Sequence, residues 1–260
     1  EQHYFPNKAG GPLPTGIVSQ IVSLADKTDT LAGIFGLGMK PTGAKDPFAL
    51  RRASLGIVRI MIEQKLDLDL DELLEQSLSI YGDRLESPDK AGMLAYVIER
   101  MRGYLVDQGY AADAIDAVLA KGLTHPLDIV ARLAAMQQFR STEAAVSLAA
   151  ASKRIGNLLK KVEGGVPDEV DDALLNQDAE TALLEQLRSR KPIIEQHLQG
   201  RDYQAAMQAT AVLREPVDTF FDEVMVMAED PAVRQNRLLL LNQLHTMMNQ
   251  VADISRLANA

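Results

Sequence analysis

Two groups of basic and amide side chains recur at helical spacing in the second half of the chain: Lys153, Arg154, Asn157 and Lys160, and then Arg234 with Arg237. Residues three and four apart share one face of a helix, so each group can present several polar side chains to one ligand. Lysine neutralises phosphate as a point charge, whereas an arginine fork or an asparagine amide can hydrogen-bond the edges of unstacked bases. These residue types at this spacing are compatible with a local RNA-binding surface.

The arginines have an alternative interpretation, in which they fix helix packing through ion pairs. The carboxylates available for this role to Arg154 and Arg237 are Asp218, Asp222 and Asp253. A second basic patch is also open to two interpretations, because the chain has six basic and two acidic residues from Lys40 to Lys65. Both patches are either RNA-facing or ordinary solvated helix faces.

The overall charge excludes a general nucleic-acid binder. The chain carries a formal net charge of −9 and has a pI near 5.0. Sequence-independent affinity for nucleic acid comes instead from clustered Lys and Arg that meet phosphates. Any RNA site must therefore be local.

Other chemistries lack the residues that they need. The chain has no cysteine, so disulfides and thiolate metal sites are excluded. Its four histidines stand singly, and no phosphate loop, H-E-x-x-H motif or nucleophile elbow occurs. The acidic residues that follow Glu63 lack the pattern of a calcium loop and are interpreted as a solvated face. The sequence predicts no catalytic residue, no metal site and no cofactor in this chain.

Helix signals dominate the elements that must position the basic groups. Three pairs place a capping side chain before a proline at the first helical position: Asp46 and Pro47, Ser87 and Pro88, and Asp230 and Pro231. Strands find no support, and the alternation from Leu66 to Asp71 is interpreted as the capped start of a helix. Apolar periodicity predicts helices near residues 15–31, 47–65, 70–85, 88–108, 112–121, 127–139, 142–162, 178–198, 202–213, 216–228 and 231–257.

The sequence predicts two helical regions and, within the second of them, one connector. Pro126 is the predicted boundary between residues 1–126 and residues 127–260. Between Glu163 and Glu185 there are eight acidic and no basic residues, and two glycines stand near the start. Residues 163–177 are therefore predicted to form a mobile, solvated connector.

No segment is long and apolar enough to cross a bilayer. The longest apolar runs, such as Leu238 to Leu241, fall far below the roughly 18 to 20 residues required. The first residues have neither the basic nor the apolar region of a secretion signal, and they lack an initiator Met. The chain is interpreted as a fragment of a longer protein, with the cytoplasm as its expected compartment.

Several long stretches carry a family resemblance. One runs from Leu24 to Gly38 with the letters LADKTDTLAGIFGLG, and it continues from Pro41 to Arg59. These residues closely resemble the β subunit of bacterial heterotetrameric glycyl-tRNA synthetase. Four later stretches resemble the DALR-type anticodon-binding domain at the C-terminus of the same subunit: Ser147–Leu159, Val212–Met227, Arg234–Leu238 and Val251–Ser255.

The resemblance implies an all-α protein with a helical bundle architecture. Residues 1–126 would include the tail of an HD-like helical domain, and residues 127–260 would form a DALR-like anticodon-binding helical bundle. The surface that faces the anticodon would then consist of the residues singled out above: Lys153, Arg154, Asn157, Lys160, Arg234 and Arg237.

The resemblance also implies a division of labour in an α2β2 glycine–tRNA ligase, which is an aminoacyl-tRNA synthetase. The α subunit would bind ATP with Mg and activate glycine, while the β subunit recognises tRNA-Gly in its anticodon region. This chain would be a non-catalytic part of the enzyme without a cofactor of its own. Its expected partners are tRNA-Gly and the α subunit. No association with a membrane is expected.

Two further hypotheses come from other functional classes. Asp26 resembles the last Asp of an HD-type metal site, which also needs a His and an adjacent His-Asp pair. Those histidines are absent, so a fragment of an HD-type metal phosphohydrolase depends on Asp26 alone. Asp26 is expected instead to hold Lys27 or a helix end. The other hypothesis is a purely protein-binding helical scaffold, with the basic clusters merely solvated.

Overall fold

The protein is described by a computed structural model that covers residues 2–8, 10–39, 46, 48–85, 88–160 and 169–257. No strand occurs within these residues, which confirms the all-α prediction. The helices are α1 (Ile17–Gly36), α2 (Leu50–Glu63), α3 (Leu70–Ser79), α4 (Lys90–Asp107), α5 (Ala112–Leu119), α6 (Pro126–Phe139), α7 (Glu143–Leu159), α8 (Asp178–Gln199), α9 (Tyr203–Ala211), α10 (Arg214–Glu223) and α11 (Pro231–Met248).

The first compact unit comprises Glu1–Tyr110 together with Leu123–Val130. Helix α1 packs against α2 and α3, and α4 packs against α2 and α3. The apolar stripes predicted from periodicity form the core of this unit, where burial of large side chains supplies most of the stabilisation. Fully buried side chains include Leu31, Ile57, Met61, Leu74, Met93 and Val97.

The starts of the helices test the predicted caps. Asp69 accepts a hydrogen bond from the Asp71 N–H at 2.8 Å, which confirms the capped start of α3. Asp230 accepts from the Ala232 N–H at 2.8 Å, with proline in the first turn of α11, as predicted. Helix α4 is capped differently, since Asp89 accepts from the Gly92 N–H at 2.8 Å. The predicted cap Ser87 lies outside the described residues.

Asp46 caps α2 from a distance. Its Oδ1 accepts from the Leu50 N–H at 2.7 Å, and its Oδ2 accepts from the Arg51 N–H at 3.1 Å. The helix therefore begins three residues later than the prediction at 47. Pro47 itself lies outside the described residues. The left-handed backbone of Ala49, with φ of 58°, turns the chain from Asp46 into the helix.

The second compact unit comprises Ala111–Gly122 together with Ala131–Ala260. Helix α7 packs against α10, α11 and a 3₁₀ turn at Ile254–Arg256, while α8 packs against α9, α10 and α11. Helix α5 also packs on that turn, and the Asp253 N–H donates to the Ala117 carbonyl at 2.9 Å. The compact units therefore differ from the predicted division at residue 126, because residues 111–122 pack with the second unit.

The described part of the acidic segment is anchored to its unit. The Asp171 N–H donates to Asn236 Oδ1 at 2.8 Å, and Asn236 Nδ2 donates to the Asp171 carbonyl at 2.9 Å. Both Asp172 carboxylate oxygens accept from the Arg188 guanidinium, at 2.7 and 2.8 Å. A basic residue from outside the acidic segment therefore pairs with it at Asp172. Residues 163–168 lie outside the described part of the chain.

A search of the described helices for one that is both long and apolar enough to span a bilayer finds none.

Candidate nucleic-acid interface

Helix α7 presents a polar outer face over an apolar inner face. Thr142 caps it, with Oγ1 accepting from the Ala145 N–H at 3.2 Å. Leu148, Ala151 and Ile155 lie on the buried side. The exposed side chains that this arrangement leaves on the outside are Lys153, Arg154, Asn157 and Lys160. These four residues, named here the α7 face, are brought together as the sequence predicted.

A buried hydrogen-bond network holds α7 in place against the end of the chain. Asn249 Nδ2 donates to Ser152 Oγ at 3.0 Å and to the His245 carbonyl at 2.7 Å. The Ile254 N–H donates to Asn249 Oδ1 at 2.9 Å. Buried polar groups are costly unless they are paired, so this network fixes one arrangement of α7, α11 and the last turn. The α7 face is therefore carried by a rigid support.

Arg154 lies over an aromatic ring. Its guanidinium carbon is 4.2 Å from the centre of the Phe221 ring, within the range of a cation–π contact. The alternative ion pair with Asp218 is not formed, since that carboxylate accepts from Ser147 Oγ and faces Arg214. The contact orients an exposed guanidinium at the surface. A guanidinium plane held in this way is a group on which an unstacked base can lie.

The structure corrects the assignment of Arg237 to the surface. Its side chain is buried, and Nε and Nη2 donate to the two carboxylate oxygens of Glu180 at 2.7 and 3.1 Å. A third donor, Nη1, bonds the Met225 carbonyl at 2.8 Å. The prediction that Arg237 faces RNA is therefore wrong, and the packing alternative is right in kind, with Glu180 as the partner instead of a predicted Asp.

Arg234 supports the same loop as Arg237. Its Nη1 donates to the Ala228 carbonyl at 3.0 Å, and the side chain is only partly exposed. The two arginines of α11 thus hold carbonyls of the segment that joins α10 to α11. Part of the Arg234 side chain stays exposed to a ligand. No contact among the described residues joins Arg234 to the α7 face.

The structure adds residues that the sequence did not single out. Lys160 borders a cleft of about 450 Å³, named here the terminal cleft, that is formed where α5, α7 and α11 end. Its lining includes Lys121, Gly156, Lys160, His245, Thr246, Asn249, Gln250 and Asp253. These positions come from four separate parts of the chain. No spacing in the sequence connects them, so only the tertiary structure reveals the cleft.

The imidazole of His245 is kept neutral in this cleft. Burial lowers its pKa from the ordinary value, the Asp253 charge opposes that shift, and the nearby Lys121 ammonium lowers the pKa by a smaller amount. Because the ring stays neutral at pH 7, one nitrogen can donate and the other can accept a hydrogen bond. That pair of functions suits the edge of a nucleobase.

Metal-ligating groups are not assembled among the described residues of the first unit. Among the described residues, no group of three or more His, Cys, Asp or Glu side chains stands close enough to hold a metal ion. Asp26 is exposed, and the neighbouring Lys27 donates to Ser23 Oγ at 2.8 Å instead of to Asp26. Burial lowers the pKa of Lys27, and the Asp26 charge opposes that shift.

The second basic patch is only partly described. Residues 40–45 of this patch lie outside the described residues. Lys161, which follows Lys160 in the sequence near the α7 face, also lies outside them. Arg59 is engaged within its own unit, donating to Glu63 at 2.7 Å and to the Gly11 carbonyl at 3.0 Å. Arg52 remains exposed. The α7 face is therefore the better defined of the two cationic surfaces.

Comparison with known proteins connects this geometry to a family. Residues 1–120 match the glycyl-tRNA synthetase beta subunit family, and residues 148–254 match the DALR anticodon binding domain. The second match contains the whole α7 face.

Individual relatives agree with these matches. The glycine–tRNA ligase beta subunit of Aeromonas hydrophila is 51% identical over 257 residues, which cover 98% of this chain and 37% of that protein. The protein of the same name from Janthinobacterium sp. (strain Marseille) is 50% identical over 258 residues, covering 99% and 37%. That of Pasteurella multocida is 47% identical over 257 residues, covering 98% and 37%.

The chain thus spans 37% of the length of these relatives. The similarity extends through both compact units and covers α7 and α11. This chain belongs to the glycyl-tRNA synthetase β subunit family and carries a DALR anticodon-binding domain in residues 148–254.

Proposed function

We propose that this chain is the tRNA-binding part of the β subunit of a glycine–tRNA ligase, and that it recognises tRNA-Gly in the anticodon region. The observation that carries this proposal is the position of the α7 face: four exposed polar or cationic side chains on one rigid helix, inside the segment that matches an anticodon-binding domain. Because the whole chain has a net charge of −9, it can attract RNA phosphates only where cations are concentrated locally, as on the α7 face.

Each member of the α7 face has a distinct task in this proposal. Lys153 and Lys160 neutralise backbone phosphates, because an ammonium acts as a point charge without directional selectivity. Arg154 offers a guanidinium plane for stacking, and Asn157 offers an amide that both donates and accepts. Recognition of single-stranded anticodon bases needs both kinds of contact, one for affinity and one for identity.

The chemistry of the ligase is assigned to another subunit. In the proposal the α subunit binds ATP with Mg and activates glycine, and this chain contributes no catalytic residue and no cofactor. The two subunits assemble as an α2β2 enzyme in the cytoplasm. The HD-type phosphohydrolase hypothesis still depends on Asp26 alone, which is exposed.

The test is equilibrium binding of the chain to tRNA-Gly and to a copy with altered anticodon bases. The proposal expects tighter binding of tRNA-Gly, since one lost base contact costs about 1 to 3 kcal/mol, equivalent to roughly 5- to 150-fold in affinity. A tRNA of another specificity with the glycine anticodon transplanted should regain part of the difference.

Two results would contradict the proposal. If the folded chain binds neither RNA, the protein-binding scaffold becomes the better hypothesis. If it binds both RNAs equally and releases both with added salt, the basic residues provide only non-specific attraction. The α subunit, added in the same assay, separates effects of tRNA recognition from effects of subunit assembly.

A further inference from the structure

The terminal cleft lies beside the α7 face and shares Lys160 with it. Its volume of about 450 Å³ falls within the range of about 300 to 1,000 Å³ that is usual for small-ligand sites. Lys121 and Lys160 are exposed at its edge, while His245 and Asn249 lie deeper. All of these residues belong to the second compact unit.

We propose that the terminal cleft receives a single unstacked nucleotide of the bound RNA, with Lys121 and Lys160 on its phosphates and the His245 ring against its base. This inference depends on the RNA-binding function proposed above, and it adds a defined site with a defined ligand class. Lys121 and His245 thereby join the α7 face as RNA-contacting residues.

The charges of the cleft favour an anion at its edge. Asp253 is the one carboxylate among the described lining residues, and it is already engaged. Its Oδ1 accepts from Ser255 Oγ at 2.6 Å, and its Oδ2 accepts from Arg256 Nε at 2.9 Å. Arg256 balances part of the Asp253 charge, and the ammonium groups of Lys121 and Lys160 are exposed at the entrance. A phosphodiester has the matching charge.

The interior of the cleft suits a base. Asn249 is committed to the network with Ser152 and Ile254, so it forms a fixed polar wall. The rings of histidines serve as stacking partners for unstacked RNA bases, and the neutral His245 imidazole can also hydrogen-bond a base edge. Thr246 and Gln250 add a hydroxyl and an amide that suit the same purpose.

Gly156 keeps the cleft open beside His245. A Cβ built on Gly156 would stand 3.5 Å from His245 Nε2, in ordinary van der Waals contact, with nothing else within 4 Å. An alanine therefore fits, whereas the additional atoms of a leucine must extend into the cleft. Glycine in a helix costs about 0.5 to 1 kcal/mol relative to alanine, so Gly156→Ala should leave the cleft open and stabilise α7 slightly.

The cleft also continues along α11. Thr246 and Gln250 border a second cleft of about 330 Å³ between α8 and α11, which is lined by Asn242, Gln243 and Lys191 among others. Asn242, Thr246 and Gln250 are each four residues apart, so they form one polar ridge along the helix. If one nucleotide occupies the terminal cleft, the next nucleotide of the RNA can lie along this polar ridge.

The experiment measures the affinity of the chain for a tRNA-Gly transcript over a range of salt concentrations. Three variants address the cleft: Gly156→Leu fills it, His245→Ala removes the ring, and Lys121→Ala removes one charge. Gly156→Ala is the matched control for the first. Lys90→Ala is the control for the last, because the Lys90 ammonium is paired with Asp71 and Glu75 at 2.9 and 3.0 Å.

The proposal expects Gly156→Leu and His245→Ala to weaken binding roughly tenfold, which is typical for one lost base contact. Lys121→Ala should weaken binding and reduce the slope of log affinity against log salt by about 0.7. Both controls should bind as the unaltered chain does. Circular dichroism and thermal unfolding verify that each variant is folded. If Gly156→Leu does not fold, Lys121→Ala still tests the cleft, because it changes an exposed residue.

Two results would overturn the proposal, and they differ in meaning. If the unaltered chain binds tRNA-Gly while the folded cleft variants bind it equally well, RNA is held elsewhere and only the cleft assignment fails. If the unaltered chain does not bind tRNA-Gly at all, the proposed function fails and the cleft proposal with it.

Discussion

Arg237 and Glu180 form a buried ion pair that joins α11 to the start of α8. The two hydrogen bonds between guanidinium and carboxylate measure 2.7 and 3.1 Å, and the side chains are 6% and 0% exposed. Glu180 also accepts from the N–H groups of Asn176 and Gln177, both at 3.0 Å. One buried carboxylate thus neutralises an arginine and accepts from the N–H groups of the two residues that precede α8.

Breaking this pair should destabilise the protein strongly. Replacing Arg237 by alanine leaves the Glu180 carboxylate buried without its counterion, which typically costs about 3 to 5 kcal/mol. The free energy of unfolding, measured by denaturant titration at pH 7, should fall by that amount. The double change Arg237→Met with Glu180→Gln should recover part of the loss, because it buries no lone charge and the glutamine amide oxygen can still accept from the N–H groups of Asn176 and Gln177.

The same variants separate packing from RNA binding. At a temperature where Arg237→Ala is still folded, its affinity for tRNA-Gly should equal that of the unaltered chain. A large loss of affinity without a loss of stability would return Arg237 to the RNA-binding surface.

Lys27 should make stability depend on pH in the alkaline range. Burial lowers the pKa of its ammonium in the folded state below the ordinary value of 10.5. Between the lowered pKa and 10.5 the unfolded chain binds more protons, so stability rises with pH in that window. Below the window, the cost of the buried charge is fully present.

The substitution Lys27→Met tests this dependence. Ser23 Oγ keeps its hydrogen bond to the Phe5 carbonyl at 2.6 Å, so no buried hydroxyl is orphaned. The variant's advantage in unfolding free energy over the unaltered chain should be largest near pH 7 and should shrink as pH approaches 10.5. A difference that is constant with pH would mean that the Lys27 pKa is not lowered.

Phe221 should matter for RNA binding only through Arg154. Replacing Phe221 by leucine removes the cation–π contact, worth about 0.5 to 1 kcal/mol at an exposed site, and leaves the guanidinium free to move. Affinity for tRNA-Gly should fall, but by less than in Arg154→Ala. In an Arg154→Ala background, Phe221→Leu should have no further effect. Additive losses in this double-mutant cycle would contradict the coupling.

The sequence predicted the local features of the fold because their causes are local. The caps formed by Asp69 and Asp230 are set by a side chain and the N–H groups two or three residues later. The amphipathic stripe of α7 likewise follows from helical spacing, so its exposed residues were found correctly.

The features that the sequence did not predict depend on contacts between distant segments. Arg237 has the type and spacing of an RNA ligand, but its partner Glu180 is 57 residues away and arrives only through tertiary packing. The assignment of α5 to the second unit comes from its contact with the last turn. The terminal cleft has the same origin, because Lys121, Lys160 and His245 share no sequence pattern.

The most direct test of the account is the binding of tRNA-Gly, and of an anticodon-altered copy, to the chain with Lys153→Ala and Arg154→Ala introduced separately. Lys153→Ala should weaken binding of both RNAs to a similar degree and reduce the slope of log affinity against log salt by about 0.7, since a phosphate contact carries no base identity. Arg154→Ala should cost about 1 to 3 kcal/mol with tRNA-Gly and less with the altered copy, so that the preference narrows. If both folded variants retain the affinity and the preference of the unaltered chain, the α7 face does not contact the anticodon and the account is contradicted.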